Sequence, residues 1–208
     1  MSSPPLRSGL RPEPPARAGA STRRAAARLA ALLVLAVGIA FPVRPVAAAE
    51  LSHDAVKAGF LFNFTQFASW PGDRVGASEV TVCVERSTID GSVFAGWEEI
   101  GGSNYRLRPR FVARPRGETD LRPCDVLFTG APDAAAAVPG LLGSARRDHV
   151  LLVSDAAGFA ASGGHIELFL DGNQFRFRVN LAELRRSGVE LSSKVLRLAD
   201  IVQGETTR

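Results

Sequence analysis

The stretch that most limits what this chain can fold into runs from His149 to Val202, and its centre is the dipeptide Asp171-Gly172. Such a dipeptide suits a tight hairpin turn, because glycine tolerates the positive φ that these turns demand. Apolar residues alternate on both sides, with Ile166, Leu168 and Leu170 before the turn and Phe175, Phe177 and Val179 after it. A two-residue loop on Asp171-Gly172 sets Leu168 opposite Phe175 and Ile166 opposite Phe177, giving one apolar face. It also sets Glu167 opposite Arg176 and His165 opposite Arg178, giving one polar face. A three-residue loop would put Leu168 opposite Arg176 and mix the faces, whereas a four-residue loop keeps parity and stays open. The polar face, Arg176 and Arg178 with Glu167 and His165, is the candidate ligand or partner face. Two guanidinium forks beside a histidine suit a carboxylate, a phosphate or an acidic partner residue. The bland alternative is a solvated sheet with one cross-strand ion pair worth no more than about 1 kcal/mol.

The N-terminal part reads as a targeting segment. Arg23, Arg24 and Arg28 precede an apolar run from Leu29 to Phe41, and Ala47-Ala48-Ala49 follow before Glu50. That order of charged, apolar and small residues predicts a secretory signal peptide with a polar N-terminal extension over residues 1–49, cleaved near Ala49. A membrane span needs about 20 apolar residues, and this run is shorter; an uncleaved anchor is the alternative. The chain is therefore expected to be exported. Removing the leader changes the electrostatics. The chain of 208 residues has a formal charge of +4, but residues 1–49 hold seven Arg and one acidic residue, which leaves −2 for the rest. The high isoelectric point belongs to the leader and gives no reason to expect nucleic acid as a partner.

Residues 50–202 are expected to form one α/β domain, a mixed sheet with short helices on its faces and the antiparallel hairpin at its C-terminal side. Residues 203–208 read as a loose tail. Ser52 caps a helix starting at His53 or Asp54 and ending at Trp70-Pro71. Val56, Phe60, Phe64 and Phe67 form its apolar stripe, while Leu61 and Phe62 spread apolarity further round. Such a helix is either buried or shared with a partner, a second copy included. Asn63 amid the aromatics is expected to satisfy an interior hydrogen bond. Glu79–Glu85 reads as a central strand, and residues 87–100 as a short helix with Val93, Phe94 and Trp97 inward. In residues 105–112, Tyr105, Leu107, Pro109 and Phe111 alternate with Arg106, Arg108 and Arg110, which predicts an edge strand with an arginine face. Cys124–Thr129 and Asp148–Ser154 read as strands, with a small helix over Ala134–Leu142 between them. Leu181–Ser187 reads as a helix stopped by Gly188, its Arg185 and Arg186 a solvated end, and Lys194–Val202 as a last helix.

Two cysteines are present, Cys83 and Cys124. In an exported protein an even count favours a disulfide, and closing about 42 residues is worth roughly 4 kcal/mol by loop entropy. Two buried thiols in neighbouring strands are the alternative. Catalytic machinery is not apparent. The chain has no HExxH, phosphate loop, GxSxG or GxGxxG, and His53, His149 and His165 lack a second ligand type at metal spacing. No catalytic residue, metal site or cofactor is assigned, and Gly158, Gly163 and Gly164 read as turn residues.

Several of these segments resemble one family. Phe62 to Pro71 matches a [YF]-N-F-x-x-F-x-x-W-P helix end. Val153 to Gly164 matches VSD-x-x-GF-x-x-x-GG, Arg176 to Asn180 matches RF-x-V/I-N, and Ser192 to Ala199 matches S-S-K-x-L-x-L-A. Together with the cysteine strands, in this order over nearly the whole of residues 50–202, they resemble the YfiR family of exported proteins. The resemblance implies a non-enzymatic periplasmic protein that represses a membrane-bound diguanylate cyclase through its periplasmic sensor region, lowering cyclic di-GMP and biofilm formation. It further implies a homodimer, a partner that is an inner-membrane cyclase or histidine kinase, and redox sensitivity through disulfides. Cys83 and Cys124 match one cysteine pair of the family's type protein, and its second pair is absent here. A periplasmic protein that binds a small anionic ligand is the alternative function.

Overall fold

The computed structural model describes residues 52–71, 79–97, 106–115, 121–130 and 132–202. The expected signal peptide, the tail from 203 and Tyr105 lie outside these residues. The fold is α/β. Seven strands form a mixed sheet in the order β3-β2-β4-β5-β6-β7-β9. These are β2 (Glu79–Glu85), β3 (Arg106–Val112), β4 (Val126–Thr129), β5 (Leu151–Ser154), β6 (Ile166–Asp171), β7 (Gln174–Asn180) and β9 (Asp200–Val202). The first five in sequence are mutually parallel; β7 runs antiparallel to β6, and β9 joins β7 in parallel. A separate two-stranded ladder pairs β1 (Ala68–Ser69) with β8 (Glu190–Leu191).

Helices cover both faces. Helix α1 (His53–Phe67) starts where Ser52 Oγ accepts the Ala55 N–H at 3.1 Å. Its Leu61 and Phe64 pack with Val82, Val84, Phe128, Val153, Ile166, Leu168 and Phe177 in one core. Helix α2 (Ala134–Arg147) covers the opposite face, where Val138, Leu141 and Ala145 meet Cys83, Leu127, Leu152 and Phe159. Strands buried between two helical layers read as near-continuous apolar runs, as LLVS and VLFT do here. Helix α3 (Leu181–Ser187) follows β7 directly, capped by Asn180 Oδ1, and α4 (Ser193–Leu196) precedes β9.

Several expectations change. The hairpin keeps its parity but slips by two residues: Asp171 pairs with Gln174, Leu168 with Phe177 and Ile166 with Val179. The two-residue loop is therefore Gly172-Asn173. Only its first residue has positive φ (60°), the arrangement in which glycine leads a type II′ turn and no aspartate has to adopt a left-handed conformation. Leu168 thus faces Phe177 and not Phe175, while Phe175 and Leu170 pair near the tip, half-buried and exposed. Asn63 is exposed and donates to Gly59 O at 2.9 Å, since the buried side of α1 is Ala58, Leu61, Phe64 and Thr65. The stripe drawn through Phe67 is displaced; Phe67 is 40% exposed.

Of the helix expected over 87–100, the described residues 87–97 form one 3-10 turn, Gly91–Phe94, where Asp90 accepts the Ser92 N–H instead of starting an α-helix. Val93 packs against the core and Phe94 and Trp97 are buried, as expected; residues 98–100 lie outside the described set. The small helix at Ala134 extends to Arg147. The last helix stops at Leu196, because Ile201 and Val202, β-branched and suited to a sheet edge, extend along β7 instead.

Candidate functional site

The polar face of the hairpin is real, but it does not gather all four expected residues. Because of the two-residue slip, Glu167 faces Arg178, and Phe169 faces Arg176. Arg178 Nη1 donates to Glu167 Oε1 at 2.8 Å, and its guanidinium lies 3.7 Å from the centre of the Phe169 ring. Glu167 is almost wholly buried, and its second oxygen accepts the Ala160 N–H at 3.1 Å. A buried carboxylate needs such compensation, since desolvation alone would cost several kcal/mol. Arg176 is exposed and reaches Asp171 at 3.2 Å and Asp200 at 2.9 Å. Two guanidinium groups thus meet three carboxylates, and neither is left free to hold an anion.

His165 is not part of that face. The register sets it level with Asn180, whose N–H donates to His165 O at 2.9 Å. The inner half of the polar face is roofed by the turn at 155–164, with Ala160 N on Glu167 and Asn180 Nδ2 on Ala160 O (2.8 Å). Under this roof His165 is fully buried. Its Nδ1 accepts the Leu152 N–H at 3.0 Å, so the ring is neutral with its proton on Nε2, which has no partner among the described residues. Burial pushes its pKa down to about 4; Arg146 adds to this and Glu183 opposes it. Glu183 is itself a structural node. Burial acts to raise its pKa, but hydrogen bonds from Arg146 (2.6 Å) and Arg186 outweigh it and hold the carboxyl below its ordinary value. Arg186 is thus part of an ion-pair cluster and not only a solvated end.

The turn that forms the roof explains the VSD-x-x-GF-x-x-x-GG pattern. Phe159 is fully buried, and a Cβ on Gly164 would overlap its ring. That pattern is architecture.

The carboxyl ends of the parallel strands hold a polar cluster that the residue pattern alone does not single out. In open α/β sheets ligands sit in this crevice where strand order reverses, here between β2 and β4. Glu85, ending β2, is buried and takes hydrogen bonds from Thr129 Oγ1 and from Arg114 Nε (2.8 Å), and Arg114 also reaches Asp133 at 2.9 Å. Beside them Lys57 of α1 bridges Asp155 at 2.6 Å and Asp54 at 3.8 Å. Gly130 lies between Thr88 and Asp155 so tightly that a Cβ would come within 2.9 Å of each. The crevice is filled by the protein's own side chains. The only hint in the sequence is a charged residue at each strand end, Glu85 after VTVCV and Asp155 after LLVS.

Cys83 and Cys124 form a disulfide, with Cα atoms 5.6 Å apart and a sequence separation of 41, tying β2 to the start of β4. No group of three His, Cys, Asp or Glu among the described residues is placed to hold a metal ion. No helix among them is long and apolar enough to cross a membrane. A different polar surface lies on β3, whose Arg106, Arg108 and Arg110 are all exposed.

No curated protein matches the chain. Several solved structures resemble it distantly, among them the following two. A conserved domain protein from Vibrio cholerae has a TM-score of 0.44 at 10% identity, covering 72% of this chain and 60% of that one. An ABC domain in complex with L-Trp from Streptococcus pneumonia has a TM-score of 0.40 at 12% identity, covering 59% and 55%. The chain thus spans less than two thirds of each of these proteins. The family comparison is decisive where these are not. The YfiR/HmsC-like family model matches residues 54–200, which takes in α1, the disulfide, the filled crevice and the hairpin, and the chain belongs to the YfiR/HmsC-like family.

Proposed function

We propose that this protein is a periplasmic, non-enzymatic regulator that binds the periplasmic region of an inner-membrane signalling protein and represses it. The partner is a diguanylate cyclase, so the output is lower cyclic di-GMP and less biofilm. Residues 1–49 deliver the chain as a cleaved signal peptide, and residues 50–202 act as a homodimer.

Membership of the YfiR/HmsC-like family over residues 54–200 carries this reading. The side-chain chemistry is compatible with it. The charged groups at the strand ends and on the hairpin are consumed in internal pairs, as expected of a scaffold that presents surfaces. The alternative of a small-anion binder draws no support from the hairpin, where Arg176 and Arg178 already hold carboxylates.

The test is affinity capture from a detergent extract of the host's membranes, with the tagged chain as bait. The reading predicts recovery of an integral membrane protein with a periplasmic region and a cyclase domain. Recovery of no such protein under conditions that keep the bait folded would refute it.

A further inference from the structure

Strand β3 carries Arg106, Arg108 and Arg110 at alternate positions, so the three share one face of the sheet's outermost strand. Successive members are about 6.6 Å apart along the strand, giving a row of roughly 13 Å. Arg108 makes one exposed ion pair, to Glu79 at 3.2 Å. Among the described residues no carboxylate pairs with Arg106 or Arg110.

Two kinds of partner fit this edge poorly. The first is an added β-strand. Val112 O accepts the Arg86 N–H, so the backbone groups of residue 112, and by alternation those of 110, 108 and 106, point toward β2. Leu107, Pro109 and Phe111 therefore turn their backbone outward, and the central one has no N–H to offer. The second is a protein interface of the usual kind, which needs an apolar anchor at its centre. Leu107 is buried, and Phe111 packs 5.8 Å from the Phe94 ring on the α1 side, away from the arginines. Among the described residues the row has charge and length, without an apolar anchor. A surface of dispersed negative charge fits such a row, because it demands no shape complementarity.

We propose that the arginine face of β3 docks on anionic phospholipid headgroups, holding the protein weakly against the bilayer and orienting it there. Residues 50–208 carry a net charge of −2, so the row is a local positive patch on a chain that is otherwise slightly repelled. Attachment is reversible and salt-sensitive.

The experiment compares the whole chain with its Arg106→Gln/Arg110→Gln variant in co-sedimentation with phosphatidylcholine vesicles, with and without phosphatidylglycerol. The leader's arginines are common to both proteins, so the difference reads β3 alone. Wild type should prefer phosphatidylglycerol vesicles at low salt, and the double variant should partition about 30-fold less. Each single variant should lose about fivefold, and both are kept in case the double variant folds poorly. Salt near 1 M should abolish the difference, since screening there acts within about 3 Å. Equal binding of wild type and variants to anionic vesicles overturns the proposal, as does a wild type with no preference over pure phosphatidylcholine. If vesicles are ignored but the variants no longer capture the membrane protein, the row reads an acidic protein surface and the lipid proposal is wrong.

Discussion

Strands β3 and β7 carry arginines at the same alternate spacing, yet the two rows have opposite fates. On β7, Arg178 lies on a buried glutamate and an aromatic ring, and Arg176 bridges Asp171 and Asp200. On β3, among the described residues, only Arg108 meets a carboxylate. The cause is position in the sheet. β7 is flanked on both sides, by β6 and β9, and both neighbours supply acids: Glu167 directly opposite Arg178, and Asp171 and Asp200 diagonally to Arg176. β3 is flanked only by β2, whose Glu79 is the one acid among the described residues that reaches its arginines. Charge on a strand is therefore structural where neighbouring strands supply its counter-charge, and available to a partner where they do not.

This contrast can be broken from the hairpin side first. The largest effect should come from acid, through His165. Its pKa is about 4 in the folded protein against an ordinary 6.5, so below pH 6.5 the unfolded chain takes up a proton that the folded chain refuses. The stabilisation is complete above pH 6.5, is lost as pH falls toward 4, and amounts to about 3 kcal/mol at 1.36 kcal/mol per pKa unit. Urea midpoints measured from pH 7.5 to 4 check this. In His165→Asn, whose Oδ1 can take the place of Nδ1 as acceptor for Leu152, the loss across that window should shrink sharply.

Next in size is Arg178→Ala, which strands the buried Glu167 carboxylate. Removing one partner of a buried pair costs about 3–5 kcal/mol. Arg178 is 38% exposed, so water reaches the site and about 2 kcal/mol is expected. Arg176→Ala, at an exposed pair, should cost below about 1 kcal/mol. Arg106→Gln/Arg110→Gln should leave the denaturation midpoint within about 0.5 kcal/mol of wild type. A stability loss for β3 as large as that for Arg178 would erase the distinction between the two rows.

Much of the architecture was legible in the sequence. The alternation around Asp171-Gly172 specifies a hairpin and its faces, because a one-residue slip would turn every side chain over. It does not specify a two-residue slip, which leaves the faces intact; the choice fell to where a positive φ could sit, at Gly172. The same slip moved Glu167 from Arg176 to Arg178. The burial of His165 was not legible, because the roof that covers it is a turn whose path depends on Phe159 and Gly164 meeting in space. Nor was the filled crevice, since Lys57, Glu85, Arg114 and Asp155 come from four distant segments. The edge position of β3 was readable from Pro109, and the disulfide was favoured by the even cysteine count together with the expected export.

The proposed function is tested most directly by cyclic di-GMP in the host. Deleting the gene should raise the intracellular level, and restoring the chain should return it to the starting value. The rise should vanish when the captured cyclase is deleted as well. A level unchanged by deletion, with that cyclase present and active, would contradict the account.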